Sequence, residues 1–124
     1  MIRSRREFAA VPESVGQARH FVASVLRGHQ DAVPVAQLVT SELAANAVLH
    51  ARTPFDVQVE ANGEIAISVS DHVPDPPVLR EPATDAPHGR GILLVDRLAD
   101  AWGVEPLPTG KRVWCRLRPR LRPG

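Results

Sequence analysis

Two runs of strict alternation meet at Asn62-Gly63, and this pattern restricts the fold more tightly than any other in the chain. Phe55, Val57 and Val59 alternate with Asp56, Gln58 and Glu60 before the turn; Ile65, Ile67 and Val69 alternate with Glu64, Ala66, Ser68 and Ser70 after it. Period two sends successive side chains to opposite faces of a strand, and Asn-Gly tolerates the positive φ of a tight turn, so the segment reads as a β-hairpin with one apolar face. That face needs a cover. Continuing the second strand's parity by one step puts Asp71 on the same inward face, at the strand's exit. An acid on the core side of a strand is the first sign of a site.

Helices supply the cover. Pro12 and Glu13 make a helix start, and Val15, Ala18, Val22 and Val25 keep helical spacing until Gly28, with Arg19 on or near the polar side. Asp31 is the expected N-cap of a second helix, with Pro34 in its first turn and an end near His50. At about 100° per residue, Glu42 and Asn46 project roughly 40° apart on this helix. Val35, Leu38, Val39, Ala45 and Leu49 share their sector, while Gln37, Thr40 and Ala44 point the other way, so the pair is expected mid-stripe on the core-facing side. An ionised Glu there must be neutralised, paired with a structural arginine, or open to a cavity holding water, metal or ligand. Asn46, one turn on, adds an oxygen suited to a hard cation beside an acid suited to general-base work.

The flanking segments complete the order of elements. Arg6 to Ala10 carries a weak strand pattern. From His72 to His88 the chain has no period and holds Pro74, Pro76, Pro77, Pro82 and Pro87; a loop of this length inside a domain is usually functional or disordered. It leads to Gly89-Arg90-Gly91 and a third helix from Ile92 to Asp100, and glycines at a helix start expose N–H groups that favour phosphate. Trp102-Gly103-Val104, a turn at Pro108-Thr109-Gly110-Lys111, and the alternation of Val113, Cys115 and Leu117 with Arg112, Trp114 and Arg116 read as two more antiparallel strands. The expected fold is therefore α+β, a two-layer α/β sandwich whose mostly antiparallel sheet carries helices on one face. It spans residues 1–124 as one domain, with a basic tail, 118–124, expected to fray.

Composition removes several alternatives. With 124 residues, 44% apolar and 23% charged, the chain can bury one core, and a formal net charge of +1 gives no general attraction to nucleic acid or membranes. The single cysteine, Cys115, can form neither an internal disulfide nor a zinc cluster, and a reducing cytoplasm is the expected compartment. No apolar run approaches the roughly 18 residues of a membrane span, and no signal-like apolar region follows Met1 to Arg6. Gly89-x-Gly91 falls short of a dinucleotide fingerprint, there is no Walker A sequence, the five histidines lack metal spacing, and Ser41 lies off the Glu42 face.

The combination Glu42-x-x-x-Asn46 on a helix, Asp71 at a strand end, a loop, Gly89-Arg90-Gly91 before a helix, and a closing hairpin with Gly110 resembles the GHKL ATP-binding superfamily. This is the Bergerat fold of gyrase, MutL and histidine kinases. The phrases from Ser41 to Ala47 and from Gly89 to Val95 are similar to the anti-sigma-factor serine kinases of the SpoIIAB and RsbW type, especially small stand-alone actinobacterial members, and the resemblance runs from about Arg6 to Leu117. It implies ATP and Mg2+ as ligands, Glu42 as catalytic base, and Asn46 as magnesium ligand. It further implies Asp71 as acceptor from the adenine amino group, and Gly89, Arg90 and Gly91 beside the phosphates. The implied activity is phosphorylation of an anti-anti-sigma (STAS-type) protein, with a sigma factor as second partner, no direct contact with nucleic acid or membrane, and a homodimer as one assembly. Val73 and Asp75 stand where the family has glycines, and Lys111 follows Gly110 where threonine is usual. Those departures favour a second reading, a non-catalytic anti-sigma-like or adaptor module with weakened nucleotide binding.

Overall fold

The computed structural model describes residues 2–74 and 91–118, the side chains of 91–93 excepted. Strand β1 (Ile2–Phe8) and helix α1 (Glu13–Val25) are followed by a 3-10 turn (Gln30–Ala32), helix α2 (Val33–Asn46) and a π-helical segment (Ala47–Ala51). Strands β2 (Phe55–Asn62) and β3 (Glu64–Asp71), helix α3 (Gly91–Leu98), and strands β4 (Ala101–Leu107) and β5 (Gly110–Leu117) complete the order. The five strands form one antiparallel sheet in the order β1-β2-β3-β5-β4. Helix α2 packs on β3 and lies between α1 and α3, so the helices form a second layer on one face. The expected α+β sandwich is the observed one.

The hairpin forms as its alternation requires. Asn62 sits opposite Glu64, and Gly63 at the tip takes φ 76°. Phe55, Val57, Val59 and Ala61 of β2, Ile65, Ile67 and Val69 of β3, and Val113, Cys115 and Leu117 of β5 all point inward at 5% exposure or less. Phe8 stacks on Phe55 at 5.6 Å between ring centroids, which seals the core beneath α1.

Sequence and structure part at four places, the last at Arg118. Strand β1 covers Ile2–Phe8 rather than Arg6 to Ala10. It is an edge strand with mostly exposed side chains, so cross-strand charge pairing replaces apolar alternation: Arg3 Nε lies 3.2 Å from Glu60 Oε1 and Arg5 Nη2 lies 2.7 Å from Asp56 Oδ2. Asp31 is not the N-cap of α2; that position is Ala32, with no side-chain capping bond. The 3-10 turn runs straight into α2, and the Val33 N–H already bonds the Gln30 carbonyl, which removes the need for a cap.

The third difference concerns the orientation of α2. Thr40 and Ala44 are wholly buried, whereas Leu38 and Leu49 are 48% and 50% exposed, so the sheet-facing stripe is Ala36, Thr40, Leu43, Ala44 and Ala47. A helix apolar nearly all round has no unambiguous core face. Glu42 and Asn46 therefore lie on a flank of the stripe rather than in its middle. By length and composition the 22-residue helical stretch Gln30–Ala51 would pass for a membrane span, but half of it is buried inside this fold.

Helix α2 ends in the wider π turn, where Arg52 takes a left-handed φ of 57° and its N–H bonds the Ala47 carbonyl at 2.8 Å. Arg118, expected in a frayed tail, is held: its N–H donates to Asp100 Oδ2 at 2.6 Å and its Nε lies 3.5 Å from Glu64. Residues 119–124 and most of the proline-rich loop lie outside the described residues.

Cys115 is wholly buried opposite Ile67, and burial pushes its thiol up to about 12 from the ordinary 9.0. Because the folded value is the higher one, the neutral thiol's contribution is complete below the unfolded value and is lost as pH rises towards the folded value. Unfolding free energies measured between pH 9 and 12 should thus fall more steeply for the wild type than for Cys115→Ala. Native protein should also resist thiol alkylation that denatured protein accepts.

Candidate functional site

The two flanks of α2 differ in chemistry. Towards α1, Arg19 Nη1 donates to Ser41 Oγ at 3.2 Å, Gln37 Nε2 donates to the Arg19 carbonyl at 3.3 Å, and Ser41 Oγ donates to the Gln37 carbonyl at 2.8 Å. With Gln37 and Ser41 facing α1, the helical repeat turns Glu42 and Asn46 to the flank beside α3. Glu42 is 9% exposed and is not without a partner, whereas Asn46 is half-buried where α-helical turns give way to the π segment.

The strand registers bring three element ends together. Asp71, at the exit of β3, lies beside the loop entering β2, where the His72 N–H donates to Thr53 Oγ1 at 3.2 Å. That loop continues the π segment, so the C-terminal end of α2 sits at the Asp71 end of the sheet. Strand β4 starts at the far end, with Ala101 opposite Arg116; α3 therefore runs from Gly91 at the Asp71 end towards Leu98. Gly91 opens α3, while Gly89 and Arg90 lie outside the described residues.

Asp71 faces inward as its parity requires, at 6% exposure. Its carboxylate is already in use. Lys111, directly opposite on β5 and 4% exposed, places Nζ 2.9 Å from Asp71 Oδ2 and 3.2 Å from Oδ1, and the Val73 N–H donates to Oδ1 at 2.9 Å. Lys111 Nζ also donates to the Val73 carbonyl at 3.1 Å. Lys111, noted in the sequence only as a departure from the family's motif, shares the parity of Val113, Cys115 and Leu117 and so had to point inward, which ties it to Asp71. The neighbouring Gly110 is fixed by contact: a Cβ there would collide with the Asp71 carbonyl oxygen and come within 2.9 Å of His72 Cα.

The donor set fits the implied ligands at one end. Among the described residues no three metal-binding side chains cluster. Asn46 could thus hold magnesium only in company with water and phosphate oxygens, which is how this ion is commonly bound to nucleotides. At the base end, the acceptor expected for adenine is covered by an ammonium.

Residues 8–117 match the model of the histidine kinase-like ATPase domain, and the chain belongs to that family. Among solved structures, the RsbU and RsbW domains of Rv1364c from Mycobacterium tuberculosis share the fold with a TM-score of 0.72 and 14% identity. The match covers 95% of this chain and 32% of that one, so the chain spans about a third of that structure's length. No curated protein matches the sequence significantly.

The close backbone approach gives a direct test. Gly110→Ala must push β5 away from Asp71 and is expected to lower stability by about 1–3 kcal/mol in chemical denaturation, the usual range for overpacking.

Proposed function

We propose that this chain is an ATP-dependent protein serine/threonine kinase of the anti-sigma-factor type. It would phosphorylate a small STAS-type anti-anti-sigma protein and bind a sigma factor in the alternative complex, in the cytoplasm. The observation that carries this reading is Glu42, held in a buried position one helical turn before Asn46 on the flank beside α3. Family membership and the fold shared with a structure containing an RsbW domain support it.

Phosphoryl transfer needs positioning and charge neutralisation more than covalent participation by the protein. The substrate hydroxyl oxygen bonds the γ-phosphorus of ATP as the bond to the β–γ bridging oxygen breaks and ADP departs; Glu42 orients the hydroxyl and accepts its proton. Magnesium, when bound, supplies countercharge to the phosphates. Asn46 would contribute a carboxamide oxygen to that ion, and the backbone N–H groups at the start of α3 would serve the phosphates. Gly89, Arg90 and Gly91 are assigned beside the phosphates on the same reading.

The Lys111–Asp71 pair favours a second reading, a non-catalytic anti-sigma-like or adaptor module, because it occupies the acceptor that would fix adenine. Radiolabel transfer from ATP to candidate anti-anti-sigma proteins separates the two. Glu42→Ala should abolish transfer with ATP binding nearly intact, while Asn46→Ala should damage both. A wild type that labels no candidate, yet binds a sigma factor without ATP, is the adaptor.

A further inference from the structure

Lys111 is placed to decide what base the site accepts. Its ammonium has three N–H groups and three acceptors around it: Asp71 Oδ2 at 2.9 Å, Asp71 Oδ1 at 3.2 Å and the Val73 carbonyl at 3.1 Å. Asp71 Oδ1 takes the Val73 N–H as well. We propose that Lys111 is the specificity-determining residue of the nucleotide site: its ammonium stands where a base amino group would donate to Asp71, so the native pocket does not select adenine. The inference rests on the nucleotide-binding reading above and adds that the base contributes little to recognition.

Three features hold the lysine in this role. Both partners are buried, so water does not compete for the pair. The first residues of β5 cannot drift from β3, because Lys111 is in register with Asp71 and Gly110 lies against the Asp71 carbonyl. A ligand amino group that took the ammonium's place on the carboxylate would leave that ammonium buried without its acceptors, a disfavoured state. The closed pair is also neutral overall. It gives no advantage to the amino group of adenine over the carbonyl that guanine carries at the same ring position. Triphosphate recognition is independent of this contact, since Asn46 and the start of α3 belong to other elements.

Removing the ammonium while keeping the carboxylate should restore discrimination, because a bare buried acid accepts from an amino group and repels a carbonyl oxygen. Calorimetric titration of the full chain with Mg-ATP and Mg-GTP tests this. The wild type is expected to bind the two within about threefold of each other, and Lys111→Met to favour ATP by about tenfold or more, the effect of one hydrogen bond to a charged group. Asp71→Asn combined with Lys111→Met leaves no buried lone charge and should lose the acquired preference. This double variant and the wild type keep the test decisive if Lys111→Met fails to fold: a wild type favouring ATP by about tenfold, or a double variant that does so, overturns the proposal. So does a folded Lys111→Met that binds both nucleotides equally; in each of these cases nucleotide binding itself stands. Absence of binding to either nucleotide by the wild type and by every folded variant removes the nucleotide reading, and this inference with it.

Discussion

The register between β3 and β5 is the constraint on which most of the molecule depends. Pairing Ile65 with Leu117, Ile67 with Cys115 and Val69 with Val113 stacks the centre of the core, and the same register ends with Asp71 opposite Lys111. A slip of one residue would turn the apolar set to the open face and bury Arg112, Trp114 and Arg116 beneath α2. The site's electrostatics and the core's packing are therefore set by one alignment. The close passage of Gly110 against the Asp71 backbone fixes that alignment at its end, next to the groups that matter chemically.

The hairpin was legible because each of its signals agreed. Alternation, the Asn-Gly turn and the length of both runs specify one structure, and Asp71 follows from parity alone. The face of α2 was not legible. Glu42 and Asn46 stand out as polar groups, but a helix carrying alanine, leucine and valine on nearly every side does not say which of them meets the sheet. Thr40 decides the matter against expectation: it is wholly buried and its hydroxyl has no hydrogen-bond partner among the described residues, a polar group submerged so that Leu43 and Ala44 can pack. Strand β1 was obscured differently, because on an edge its arginines answer acids on β2, which a hydrophobic period does not detect.

The α1–α2–α3 layer assigns separate tasks to the two sides of one helix. Arg19 ties α1 to Gln37 and Ser41, leaving the opposite flank with its buried acid and its amide turned towards α3. The π segment widens the backbone just beyond Asn46, and such segments are frequent at functional positions. Glu42 and Asn46 thus sit on a helix packed against the sheet, and Val73, just past β3, is tied to β5 where Lys111 donates to its carbonyl.

The two borders of the sheet carry a consequence for assembly. On β1, Arg3 and Arg5 stand on one border, each paired with an acid of the neighbouring β2; on β4, Pro106 has no N–H to offer the other. Joining two copies through β1 would bring two arginine-bearing strands together, and joining them through β4 would meet the proline. Both borders are thus guarded against extension of the sheet.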